Sequence, residues 1–148
     1  MMGNITTTWD ATEGLLISRL TGKADVADVR RWEEGLMAAL ARIPDGTTFK
    51  LLSGLFGYEP ADLDAHKAMR TVIPLLLTTH GFRTGLVDIV GAEEPTLTTT
   101  RRIMCVAVAH VHHDPDKMAL YQERVGRANE RFFTDYGAAH AWLSQVGR

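Results

Sequence analysis

The sequence has a single cysteine, Cys105, which excludes an internal disulfide and suits a reducing compartment. It lies inside the apolar run 103–109 with no adjacent charge to lower its thiol pKa. Cys105 therefore reads as a small buried hydrophobe on a strand rather than as a nucleophile. An excess of one charge is also missing. The formal net charge is −2, and the basic residues are scattered, with Arg30-Arg31 and Arg101-Arg102 no more than dipeptides. No phosphate-tracking surface follows from that distribution, which argues against a nucleic-acid partner. Long hydrophobic runs are absent too, the longest being about seven residues against the roughly 20 that span a bilayer.

The start of the chain lacks the basic head and apolar segment of a secretory signal. With the lone cysteine, this predicts a cytoplasmic protein. Met2-Gly3 followed by Thr7 fits the letters of a myristoylation motif, but Gly3 is not the second residue, and the match reads as chance. No glycine-rich phosphate loop is present, and Ser18, Ser53 and Ser144 stand in no nucleophile elbow.

What remains is an ordinary globular composition, 45% hydrophobic and 23% charged, over 148 residues. That length suits one domain, residues 1–148, able to bury roughly 70% of its unfolded surface without staples. Residues 5–10 and 15–20 read as strands joined by the turn Ala11-Thr12-Glu13-Gly14. The period then changes. Val26, Val29, Trp32, Leu36, Met37, Leu40 and Ile43 recur at steps of three and four behind the cap Asp25, and Pro44-Asp45-Gly46 ends this helix. Residues 47–56 are apolar on both parities, as in a strand covered on both faces. An exit loop through Gly57, Tyr58 and Pro60 leads to a helix over 61–79, with Pro74 predicted to kink or interrupt it.

Residues 83–90 are expected to form a short buried strand, and 103–113 another. Asp114-Pro115 starts a helix lined by Met118, Tyr121 and Val125, followed by a strand over 130–134. Asp135 caps a last helix burying Ala139, Trp142 and Leu143, and Trp9, Trp32 and Trp142 read as core. The order β-β-α-β-α-β-β-α-β-α predicts an α/β fold, a mixed β-sheet packed with about four helices.

The C-terminal segment Asn129-Glu130-Arg131-Phe132-Phe133-Thr134-Asp135-Tyr136-Gly137-Ala138-Ala139-His140-Ala141-Trp142-Leu143 resembles the close of the SpoIIAA-like branch of the STAS family, the anti-sigma-factor antagonists. The capped first helix and Phe49-Lys50-Leu51-Leu52-Ser53-Gly54-Leu55-Phe56-Gly57-Tyr58 match the family's helix and following central strand. The likeness covers nearly the whole chain in its order of elements, and its motifs are packing motifs. It implies a STAS-like sheet and a binding or regulatory role rather than catalysis. Two departures stand out. The family's phosphorylatable serine would fall near Ala61-Asp62-Leu63-Asp64, which holds no hydroxyl residue. Residues 103–113 would be one extra strand.

Two constellations bear on chemistry. On a strand, His110 and His112 of His110-Val111-His112-His113-Asp114 point the same way, a pincer for a divalent metal. The string falls one residue short of the H-x-H-x-D-H metallohydrolase signature, because Pro115 stands where the last histidine belongs. A metal-binding protein or hydrolase would need a third ligand, such as His66, His80 or Asp88. The plainer alternative is an edge strand ending at the surface with half-solvated histidines. The other constellation is a cavity at the carboxyl ends of the inner strands, with Tyr58, Glu59, His66 and Asp88 as lining and the Pro74 helix as a movable wall. Asp88 is expected to be either a functional acid or a strand-end residue paired to an arginine.

The leading expectation is a non-catalytic module for a protein partner or small apolar, lipid-like ligand. The apolar run 72–77 keeps a peripheral membrane contact open beside an ordinary core-facing reading. Strand 103–113 offers an edge for a homodimer.

Overall fold

The computed structural model describes residues 3–146, so Met1 and Met2, part of the myristoylation match, lie outside the described residues. Strands β1 (Asn4–Asp10) and β2 (Leu15–Ala24) form an antiparallel hairpin in which Thr7 faces Ser18. Its turn is closed by Asp10, whose side chain accepts from the Thr12 and Glu13 amides, and by Gly14 at φ 65°. Helix α1 (Val26–Leu40) follows, as the stripe predicts. Asp25 and Asp28 each accept the other's backbone N–H, a reciprocal cap worth about 1 kcal/mol. The helix buries Val29, Trp32, Leu36 and Leu40 against the sheet.

Strand β3 (Thr48–Gly54) pairs in parallel with β2 and leads to a three-residue strand, β4 (Tyr58–Pro60), which pairs with the far end of β2. The sequence predicts only a loop here. The length of β2 supplies the difference, since it runs past β3 and leaves Gly22–Ala24 to be paired. Helix α2 (Leu63–Thr78) is capped by Asp62 and passes unbroken through Pro74. Proline has no N–H, so the Arg70 carbonyl loses its usual helical partner at that turn. Val72, Ile73, Leu76 and Leu77 are buried in the core, as the core-facing reading of run 72–77 has it, while Leu75 is exposed.

Residues 83–90 do not form a strand. Helix α3 (Leu86–Val90) takes their place, closed by Gly91 at φ 68°. A five-residue apolar run fits either period, and here Leu86, Ile89 and Val90 recur at helical steps. Gly85 precedes them because a Cβ there would stand 2.5 Å from Val125.

Strand β5 (Met104–Val111) runs between β3 and β6 (Glu130–Phe133), parallel to both. It is therefore an inner strand of the order β1-β2-β3-β5-β6. This corrects one expectation: residues 103–113 are no free edge for a homodimer. Helices α4 (Pro115–Val125) and α5 (Tyr136–Gln145) complete the chain, giving five helices rather than about four. Leu16, Leu51, Phe49 and Val108 of the sheet meet α1 and α2 on one face. On the other face Leu15, Leu52, Ala107 and Ala109 meet Ala139 and Leu143 of α5. Cys105 is buried, its Sγ–H directed to the Ala107 carbonyl at 3.5 Å.

Trp32 Nε1 donates to Ser18 Oγ at 2.5 Å, with both residues fully buried. Trp32→Phe is expected to cost about 1–3 kcal/mol beyond any packing loss, because it strands the Ser18 hydroxyl. Thermal melts of the single variants and of Ser18→Ala/Trp32→Phe check this, the double variant losing less than the sum of the singles.

Candidate functional site

Where the inner strands end, α2, α3 and α4 stand off the sheet around a cavity of about 310 Å³. Strands β3, β5 and β6 contribute Ser53, His110 and Phe132, which neighbour one another across the parallel register. Met69, Ile73 and Pro74 line it from α2, and Leu86, Ile89 and Val90 from α3. From α4 come Lys117, Met118 and Tyr121, the stripe that Asp114 starts by accepting the Lys117 amide. A more open groove of about 420 Å³ adjoins it, lined by Tyr58, Glu59 and Pro60. His66, Met69, His112 and Lys117 form the wall common to both.

Behind the lining residue His110 lies a buried carboxylate. Glu130 opens β6 with its side chain fully buried, on the same face as Phe132. Its oxygens accept from Thr84 Oγ1 at 2.5 Å, the Gly85 amide at 2.8 Å and His110 Nε2 at 2.7 Å. Arg127 stands 3.5 Å away. Burial pushes this carboxyl up, but the bonds from His110, Gly85 and Thr84 outweigh it and hold the group below its ordinary range. His110 Nε2 is the ring nitrogen that donates to the carboxylate. That ring is stacked on Phe132 at 4.6 Å between centroids.

The polar end is built differently. Burial, with Lys117 and His113 nearby, pushes His112 down to about 4 against the pull of Asp114. The neutral ring accepts the Asp114 amide at Nδ1, so its proton sits on Nε2. Burial also lowers His66, with Arg70 and Lys117 adding repulsion. Lys117 is lowered chiefly by burial and by its neighbour Arg70, while Asp114 raises it.

The cavity thus gathers His66, Pro74, His110 and His112, and the groove beside it holds Tyr58 and Glu59. Asp88 is elsewhere. It lies on the solvent side of α3, paired with Arg83 at 2.9 Å, and that hydrogen bond holds its carboxyl low. This follows the arginine-paired reading and corrects the strand placement and the lining role. His110 is buried rather than half solvated. His80 is distant in function, its Nδ1–H donating to the Leu76 carbonyl at 2.7 Å while its ring meets Phe49 edge-on. Among the described residues, no three His, Cys, Asp or Glu side chains gather closely enough to share an ion.

Sequence reasoning missed Glu130, Arg70 and Lys117. Alternation with Phe132 was the available signal for Glu130, since it puts an acid on the core face of a strand. For Lys117 it was spacing, one position before Met118 and four before Tyr121.

Glu130→Gln is expected to destabilise the protein by about 1.5–3 kcal/mol at neutral pH, because Gln replaces charge-assisted bonds with neutral ones. The native group's pKa lies below its ordinary value of 4.5, so its contribution is full above that value and disappears as pH falls through the native pKa. Chemical denaturation of both proteins from pH 7 to pH 3 checks this, the gap closing at the acid end.

Neither a family model nor a curated protein matches the chain. Among solved structures, it is similar to an uncharacterized protein of the DUF3478 family from Shewanella loihica PV-4, whose crystal structure has a SpoIIAA-like fold. Identity is 16% and the TM-score 0.53, with 95% of this chain and 93% of that chain covered. With its mixed sheet and helices on both faces, the chain has a SpoIIAA-like, STAS-like fold.

Proposed function

We propose that the chain is a non-catalytic binding module whose cavity takes a small apolar ligand. The observation that carries this reading is the cavity itself, about 310 Å³ framed by Met69, Ile73, Leu86, Ile89, Met118 and Phe132. Its volume lies at the lower end of those that hold small molecules, and apolar side chains make up most of the lining, with His66, Arg70, His110, His112 and Lys117 as its polar part. Roughly ten atoms of water or methylene size fill such a space. The wall at Pro74 suits entry, because the helix already lacks one backbone hydrogen bond there. A STAS-like fold without a hydroxyl residue at Ala61-Asp62-Leu63-Asp64 fits a module governed by what it binds rather than by phosphorylation there.

The Glu130–His110 pair is read as structural. It orients the ring and anchors Gly85, and so holds α3 in place as a cavity wall. A divalent metal on His110 and His112 is the rival reading. It would have to take its third ligand from outside the groups gathered here.

Mass spectrometry of the native protein as purified, against the same sample denatured, separates the two. The expected result is an organic mass excess that is unaffected by His110→Ala/His112→Ala and lost in Ile73→Phe, which fills the cavity with a larger apolar side chain. An excess matching a transition metal, and lost in the double histidine variant, overturns the reading in favour of the metal. A bare mass turns the search to a protein partner.

A further inference from the structure

Two cations meet at one end of the cavity with no acid among its lining. Arg70 on α2 and Lys117 on α4 both line it, and no Asp or Glu does. Among the described residues neither forms a salt bridge, and Arg70 reaches the cavity edge from an exposed position. Lys117 is half-buried, and its ammonium lies 5.6 Å from the Tyr121 ring centroid. Asp114, the nearby acid in sequence, accepts the Lys117 backbone amide as the α4 cap. Glu59, which lines the adjoining groove, is exposed. Two like charges beside one another repel, and an anion held between them relieves that repulsion.

The neighbouring polar groups are also short of partners. Tyr58 is 5% exposed, and its hydroxyl is buried without a hydrogen bond. His66 Nδ1 is buried and unpartnered as well. His112 presents an Nε2–H, since its Nδ1 is taken by the Asp114 amide. Buried polar atoms without partners are uncommon in folded proteins. Here His66 lies with Lys117 on the wall common to cavity and groove, Arg70 lines the cavity side and Tyr58 the groove side.

We propose that this end of the cavity is the head-group site for a small amphiphilic anion, a medium-chain carboxylate held by Arg70 and Lys117, with its hydrocarbon tail among Ile73, Ile89 and Phe132. The inference rests on the cavity being a ligand site and adds the chemical class of the ligand. Octanoate, with about ten non-hydrogen atoms, matches the available volume. Tyr58 and His112 then donate to the carboxylate from the groove side, and the apolar floor excludes water from the tail.

Isothermal titration with octanoate, 1-octanol and octyltrimethylammonium tests this on the full chain. Octanoate is expected to bind about tenfold or more tighter than octanol, with no measurable binding of the ammonium compound. Lys117→Met and Arg70→Met should each weaken octanoate by about tenfold while leaving octanol unchanged, and Lys117→Arg should retain most of the affinity. Thermal melts confirm that each variant is folded, with Lys117→Gln replacing Lys117→Met if the latter is not. Equal binding of octanoate and octanol, or octanoate binding indifferent to both substitutions, overturns the head-group site and leaves the cavity reading standing. Failure of octanoate and octanol alike, in a protein whose native mass Ile73→Phe does not change, overturns both.

Discussion

The Glu130 carboxylate is the constraint on which the upper half of the molecule depends. A fully buried acid is tolerated only when donors surround it. The chain supplies Thr84 and Gly85 from the segment before α3 and His110 from β5. One side chain thereby ties a sheet edge, an inner strand and a loop distant in sequence to a single point. Replacing such a group by an apolar one of similar shape often costs little, whereas removing one partner costs several kcal/mol. The arrangement therefore serves position more than stability. It sets the plane of the His110 ring against Phe132 and holds α3 at the cavity's side.

The two ends of the cavity contrast because their polar groups are treated differently. At the Glu130 end each donor meets an acceptor, and the result is rigid. At the Lys117 end no lining carboxylate meets Arg70 or Lys117, and burial acts on Lys117, His66 and His112 in the same direction, toward the neutral form. A site with a closed polar network behind one end and two cations at the other has a direction, and a bound molecule with two unlike ends would take one orientation.

Local signals were legible where they were long or doubled. Helix α1 shows a sustained stripe between a capping box and Pro44-Asp45-Gly46, and the sequence locates it closely. Asp114-Pro115 starts α4 and Asp135 starts α5 as read. Residues 83–90 were misread because five apolar-rich residues carry no decisive period, and what decides them is tertiary, the Gly85 amide on Glu130 and the close approach of Val125. Strand β5 was recognised but misplaced, since the partners of a parallel strand lie far away in sequence. The same limit applied to the site. His66, His110, His112 and Pro74 were identified by residue type, while Arg70 and Lys117 looked like any solvated cation until α2 and α4 were set facing one cavity. Asp88 looked buried only because its segment was taken for a strand.

The inner position of β5 bears on how the chain reaches its native state. The β1–β2 hairpin closes locally, but β5 must find β3 across the whole of α2 and α3. Closing long loops before any contact rewards them makes such pairings late and slow. The cavity has walls from both halves, so it forms among the last features of the molecule. A ligand captured there recognises only the finished protein, and it stabilises the whole fold by an amount that grows with ligand concentration above Kd.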